Sequence, residues 1–175
     1  MAITTSVTTT SSVSWSIRDT PVAANTTTYF DDKGSILLSK NYTDGSGAVG
    51  GVNTKWDNTF TLGSGLDTTL DVTALTSTVF GETITQTFTG IKDFLVKNNE
   101  TGVNSRISIL ATGTNAFNNI FDGGSGNLIV HPSSSYHRII WVSGINVAAD
   151  NKNLIVRDVG GQGASVSVFL AGTSG

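Results

Sequence analysis

The feature that most constrains this chain is its shortage of helix-forming side chains. Its 175 residues include two glutamates and one methionine, against 26 Thr, 20 Ser, 20 Gly and 14 Asn. Threonine, like Val and Ile, is branched at Cβ, so it loses rotamer freedom in a helix and packs well on a pleated surface. It also keeps an outward strand face polar without charging it. Glycine and asparagine supply the positive-φ positions that tight turns need. The expected fold class is all-β, with many short strands and Gly/Asn corners.

Apolar patterning divides the chain into three parts. Residues 1–20 are mostly Thr and Ser, with Val13, Trp15 and Ile17 alternating at the end, and read as an extended N-terminal arm that orders on a partner. Residues 21–70 are irregular. Segments 27–30 and 35–38 read as a hairpin across residues 31–34, residues 44–51 as a Gly-rich loop, and Trp56, Phe60 and Leu62 resume apolar character. Residues 71–175 read as a sandwich. Its candidate strands are 71–80, 83–88, 91–97, 105–111, 127–131, 137–142, 153–157 and 164–171, and eight is the usual jelly-roll number.

Composition also bears on partners and compartment. Ten basic residues against thirteen acidic ones leave a net charge of −3, so no polycationic face is expected for nucleic acid. Cysteine is absent, which removes disulfides, thiolate metal sites and cysteine nucleophiles. The first residues lack the basic and apolar regions of a signal peptide, and no apolar run reaches the roughly 20 residues of a membrane helix. The expectation is a protein made in a cytoplasm, with neither membrane nor nucleic acid as partner.

The chemistry-bearing residues are sparse. His131 and His137 flank a Pro-Ser-Ser-Ser-Tyr turn. Two histidines are too few for zinc, and a Ser134–His137 pair lacks an orienting third group, so both read as strand-end histidines. Glu82 and Glu100 are the only glutamates and nothing places them across a groove as a glycosidase requires. Asp67 and Asp71 read as a strand face rather than a calcium loop. Of the tryptophans, Trp141 reads as core, while Trp15 and Trp56 are candidates for an interface. No catalytic residue, cofactor or metal is expected, and the chain is not read as an enzyme.

A resemblance enters from residue 72 onward, where Leu75 and Val79-Phe80 come first. The run Phe88-Thr89-Gly90-Ile91-Lys92-Asp93-Phe94-Leu95-Val96-Lys97-Asn98-Asn99 is followed by Ile107-Ser108-Ile109, the Asn115-Ala116-Phe117 loop, the Val130-His131-Pro132-Ser133 turn and a last strand closing on Gly172-Thr173. This order resembles small virion proteins of tailed bacteriophages, with Ser133 standing where their turn usually has Gly. The match covers about 100 residues of turns and apolar positions and carries no catalytic signature. It implies a jelly-roll-like antiparallel β-sandwich acting as a head decoration (cement) protein, often trimeric, or as a tail or fibre component. On that reading the protein resides in the virion, its partner is the major capsid protein, and it stabilises the assembled head. The capsid contacts would come from the arm, with Val13, Trp15 and Ile17 as apolar anchors and Arg18 as a polar contact. The alternative is a tail or fibre component that recognises host-surface glycan through an exposed Trp56 or Tyr136.

Overall fold

A computed structural model of the chain describes residues 7–19, 30–44, 51–79, 81–121, 126–139 and 144–174; for 7–19, 30–44, 79 and 139 it describes the backbone. Its strands are β1 (Val7–Asp19), β2 (Phe30–Asp44), β3 (Gly51–Val52), β4 (Thr54–Leu62), β5 (Asp67–Asp71), β6 (Leu75–Val79), β7 (Glu82–Gln86), β8 (Gly90–Asn98), β9 (Ile107–Leu110), β10 (Leu128–Val130), β11 (Ser135–Ile139), β12 (Ile145–Asn146), β13 (Asn153–Asp158) and β14 (Ala164–Thr173), with one 3-10 turn at Asn118–Phe121. Two compact units result. Thr8–Asn41 is one, holding nearly all of β1 and most of β2, which are hydrogen-bonded neighbours. The other holds everything from Tyr42 onward, including the parallel pairing of Thr43 and Asp44 with β3.

Within the larger unit, β4-β14-β8-β11 form one antiparallel sheet, with β12 added beside β8, and β5-β13-β9-β10 form another. The runs β4-β5-β8-β9 and β10-β11-β13-β14 pair in reverse order: β9 with β10, β8 with β11, β5 with β13, β4 with β14. Successive pairs of this ribbon alternate between the two sheets. A two-stranded ribbon wrapped in this way is a jelly roll.

Alternation along the strands builds the core. Ala164, Val166, Val168 and Leu170 of β14 are buried, and Ser165, Ser167 and Phe169 between them are half-buried. The first set joins Trp56 and Leu62 of β4 and Phe94 and Val96 of β8, and meets Ile107, Ile109, Leu154 and Val156 of the facing sheet. One irregularity matters. Asp93 opposes Ala171 while Ile91 opposes Gly172, so Lys92 is an extra residue, and this bulge lets both Ile91 and Phe94 enter the core. Gly172 is dictated at that point, because a Cβ there would lie 1.9 Å from the Gly90 carbonyl oxygen.

The all-β class expected from composition and the antiparallel sandwich expected from the strand pattern are the observed fold. Five of the eight expected strands coincide in the main with β8, β9, β10, β13 and β14, and a sixth, 137–142, shares residues 137–139 with β11, its remainder lying outside the described residues. The other two differ. The segment 71–80 straddles the end of β5, a turn and β6, while 83–88 is largely β7, and β6 pairs with β7 as a separate hairpin. The missing strands of the roll are β4 and β5, which precede residue 71, so the sandwich starts near Thr54. β5 escapes apolar patterning because Asp-Thr-Thr-Leu-Asp is an edge strand held by ion pairs, Asp67 to Arg157 at 2.6 Å and Asp71 to Lys152 at 2.5 Å. The expected hairpin across residues 31–34 is replaced by one continuous strand, β2; that corner lacks the Asn-Gly or Asp-Gly pair that favours a two-residue turn. Residues 27–29, most of the Gly-rich 44–51 loop and Trp141 lie outside the described residues.

Candidate functional site

Register brings four connections to one end of the roll. Leu62 lies opposite Ala164, Asp67 opposite Arg157, Lys97 opposite Ser135, and Ile107 opposite both Val130 and Asp158. The loops 63–66, 99–106, 131–134 and 159–163 therefore leave the sheets side by side.

Two buried polar side chains bind these loops together. The Asp158 carboxylate, 2% exposed, accepts four backbone N–H groups, Gly160 (3.0 Å) and Gly161 (3.2 Å) on Oδ1, Gly65 (2.9 Å) and Gly163 (2.8 Å) on Oδ2. Burial acts to raise its pKa, but the four donors outweigh it and hold the carboxyl below its ordinary value. Asn98, fully buried, donates from Nδ2 to the carbonyls of Ser105 (2.6 Å) and Val130 (3.2 Å) and accepts from the Glu100 N–H (3.1 Å). Glu100 in turn accepts the Ser165 N–H at 2.8 Å, and its carbonyl accepts the Ser133 N–H at 2.7 Å. Gly160 packs against the 99–106 loop so closely that a Cβ would lie 1.6 Å from the Asn104 carbonyl oxygen. Such a network fixes the loops as a platform rather than leaving them to sample conformations.

Three large apolar side chains stand out on the platform among exposed glycines and polar residues. Among the described residues, the large apolar side chains left exposed are Leu66 (61%), Val103 (85%), Val159 (39%), Ile84 and Ile129. The first three occupy three adjacent loops of this one end. The Asp158 N–H donates to the Leu66 carbonyl and the Val159 N–H to that of Arg106, which ties their backbones together. Rigid apolar tips at a hydrogen-bonded end suit contact with another macromolecule, where ordering costs at binding are small.

The residues singled out in the sequence fall as follows. Val13, Trp15, Ile17 and Arg18 all lie on β1, in the smaller unit; their side chains lie outside the described residues. Ser134 donates its hydroxyl to the His131 carbonyl at 2.6 Å rather than to His137. His137 instead meets Asp93, with Nε2 2.8 Å from Oδ1 of a carboxylate that is wholly buried. Sequence reasoning missed this pair, because the two residues are 44 apart and only the β8–β11 register joins them. Glu82 starts the second strand of the β6–β7 hairpin and Glu100 is engaged at the loop end, so the two glutamates belong to different parts of the fold. Asp67 and Asp71 are a strand face, each paired with a cation of β13 or the residue before it. Their carboxyls also titrate below the ordinary value: Arg157 lowers Asp67, while for Asp71 the bonds from Lys152 and Thr73 overcome desolvation.

Of the two aromatic residues expected to stack on sugar, Trp56 is not available. Trp56 is 3% exposed and its indole N–H donates to the Thr76 carbonyl at 2.9 Å. Tyr136 is half-buried, edge-on to Phe94 with ring centroids 6.0 Å apart. Among the described residues no group of three or more His, Cys, Asp and Glu is arranged to hold a metal, and no helix is long and apolar enough to cross a membrane. No family model matches the chain, and no curated protein and no solved structure matches it.

Proposed function

We propose that this protein is a non-enzymatic structural component of a tailed-bacteriophage virion, a decoration protein that binds the assembled head and stabilises it. The observation that carries this reading is the loop platform, where Leu66, Val103 and Val159 stand exposed on a hydrogen-bonded base. The residues that carry the phage resemblance also make the joints of the roll. Asn98 ties two loops, Phe117 is buried in the core beside the Asn115 turn, Ser133 adopts φ +55° after Pro132, and Gly172 admits the close approach of β8. The carboxylates of Asp158 and Glu100 are engaged internally, which leaves the surface of the platform to act by contact.

On this reading the major capsid protein is the partner. The platform grips it, and the β1 segment with Val13, Trp15, Ile17 and Arg18 adds further contact through its backbone in the manner of strand addition. Assembly as a trimer would multiply the grip, since after one subunit docks the others bind at high effective concentration. The test is to mix purified protein with heads that lack it and measure co-sedimentation. Binding that survives Val103→Asp together with Leu66→Asp refutes the platform, and binding unchanged by deleting residues 1–17 refutes the arm.

A further inference from the structure

A second feature lies away from the loop platform, where the β6–β7 hairpin stands beside β4 and encloses a groove of about 520 Å³. That volume is in the range of small-ligand sites. Its wall on one side is β4, the edge strand of its sheet, and on the other the hairpin, fixed to β4 by the bond from Trp56 Nε1 to the Thr76 carbonyl. The lining is mainly polar, with Trp56 as its large apolar member, and its described residues carry no net charge. Asn58 and Gln86 bring carboxamides, Thr76, Thr78 and Thr83 bring hydroxyls, and Lys55 lies 3.9 Å from Asp57, so the charges offset. Gln86 is specially placed. Its Nε2 donates to Ser77 Oγ at 2.8 Å, while its buried Oε1 has no hydrogen-bond partner among the described residues. A buried acceptor left unmet is costly, and turning the carboxamide toward the groove would let a ligand hydroxyl meet it.

We propose that this groove binds a neutral saccharide. Amides and hydroxyls can each both donate and accept, which matches the alternating donors and acceptors of sugar hydroxyls. The balanced charge gives no advantage to a phosphate, a carboxylate or a cation. An added peptide strand is the competing occupant, and the edge is blunted against it: the Thr59 N–H is taken by Asn58 Oδ1 at 2.8 Å, and Lys55 and Asp57 alternate along the strand. Trp56 lines the groove but is 3% exposed, so little of its ring is open to stack on a sugar and the hydrogen bonds must carry the binding. The affinity expected is accordingly weak, with Kd of about 1 mM. The site is independent of head attachment, and either can fail without the other.

The experiment is an amide chemical-shift titration of the full chain with maltotriose, lactose and chitotriose, each to about 10 mM, alongside inorganic phosphate and a synthetic peptide of residues 7–19. The expected result is that at least one sugar shifts Asn58, Thr76, Thr78, Thr83 and Gln86, and phosphate does not. Thr83→Tyr, which fills the groove from an exposed position, and Gln86→Leu, which removes the orphan acceptor, should each weaken that binding at least about tenfold; Val103→Asp should leave it unchanged. No shift with any sugar, shifts confined to other residues, or a response to the peptide in place of the sugars overturns the proposal. The wild-type shift map decides the matter even if either variant fails to fold.

Discussion

Replacing Asp158 with asparagine tests whether one carboxylate holds the loop platform together. The amide keeps the shape of the acid but has a single acceptor oxygen. It can retain one of the two N–H pairs, Gly160 with Gly161 or Gly65 with Gly163, and turns its own NH₂ toward the other. Two charge-assisted hydrogen bonds are lost, each worth about 1.5 kcal/mol net, so Asp158→Asn should cost about 3 kcal/mol. Asp158→Ala loses all four and on the same scale should cost about 6 kcal/mol, beyond the usual range for a single substitution. For a chain of this length 3 kcal/mol corresponds to a fall in Tm of roughly 6–12 °C. Urea unfolding gives the free energy, and hydrogen exchange at the Gly65, Gly161 and Gly163 amides locates the loss. A cost below about 1 kcal/mol, with those amides as protected as before, would refute the clamp and the rigidity argued from it.

Three further outcomes follow from the same geometry. Ser133→Gly should stabilise the fold by about 0.5–1 kcal/mol, because φ +55° is strained for a side chain and the exposed hydroxyl bond lost with it is worth less; a lower urea midpoint would contradict this. Gly172→Ala should destabilise by more than about 3 kcal/mol or prevent folding, since its Cβ collides with the Gly90 carbonyl; a variant as stable as the parent would show that the bulge yields. Asp67, Asp71 and Asp158 all titrate below their ordinary value of about 3.8 when folded. Their stabilisation is complete above that value and is lost as pH falls through it toward the lower folded values, so the urea midpoint should drop between about pH 5 and pH 3; a midpoint that holds or rises on acidification would contradict it.

The roll was legible where its chemistry is local. Alternation in Val166, Val168 and Leu170, the apolar run from Ile91 to Val96 and the Gly/Asn joints mark strands that bury side chains, and those strands are where they were expected. β5 was not legible, because Asp67 and Asp71 find their partners on or beside β13, about 80–90 residues later, and a polar edge strand has no periodic signature of its own. Ser133 takes a left-handed backbone conformation, φ +55°, which costs a side chain what it does not cost glycine. The site was scarcely legible. Asp158 and Asn98 are ordinary residues at strand ends until register surrounds them with backbone donors and carbonyls. The Asp93–His137 pair likewise depends on how β8 and β11 align, which no spacing in the sequence specifies. Trp56, a candidate for an exposed contact, is turned inward by the alternation of β4.

The most direct test of the account is a density map of purified virus particles with this chain fitted into it. The account predicts many copies on the head surface, each with the loops around Leu66, Val103 and Val159 against the capsid shell. Particles that are complete and infectious without the protein, or copies seated with that end facing solvent, would contradict it.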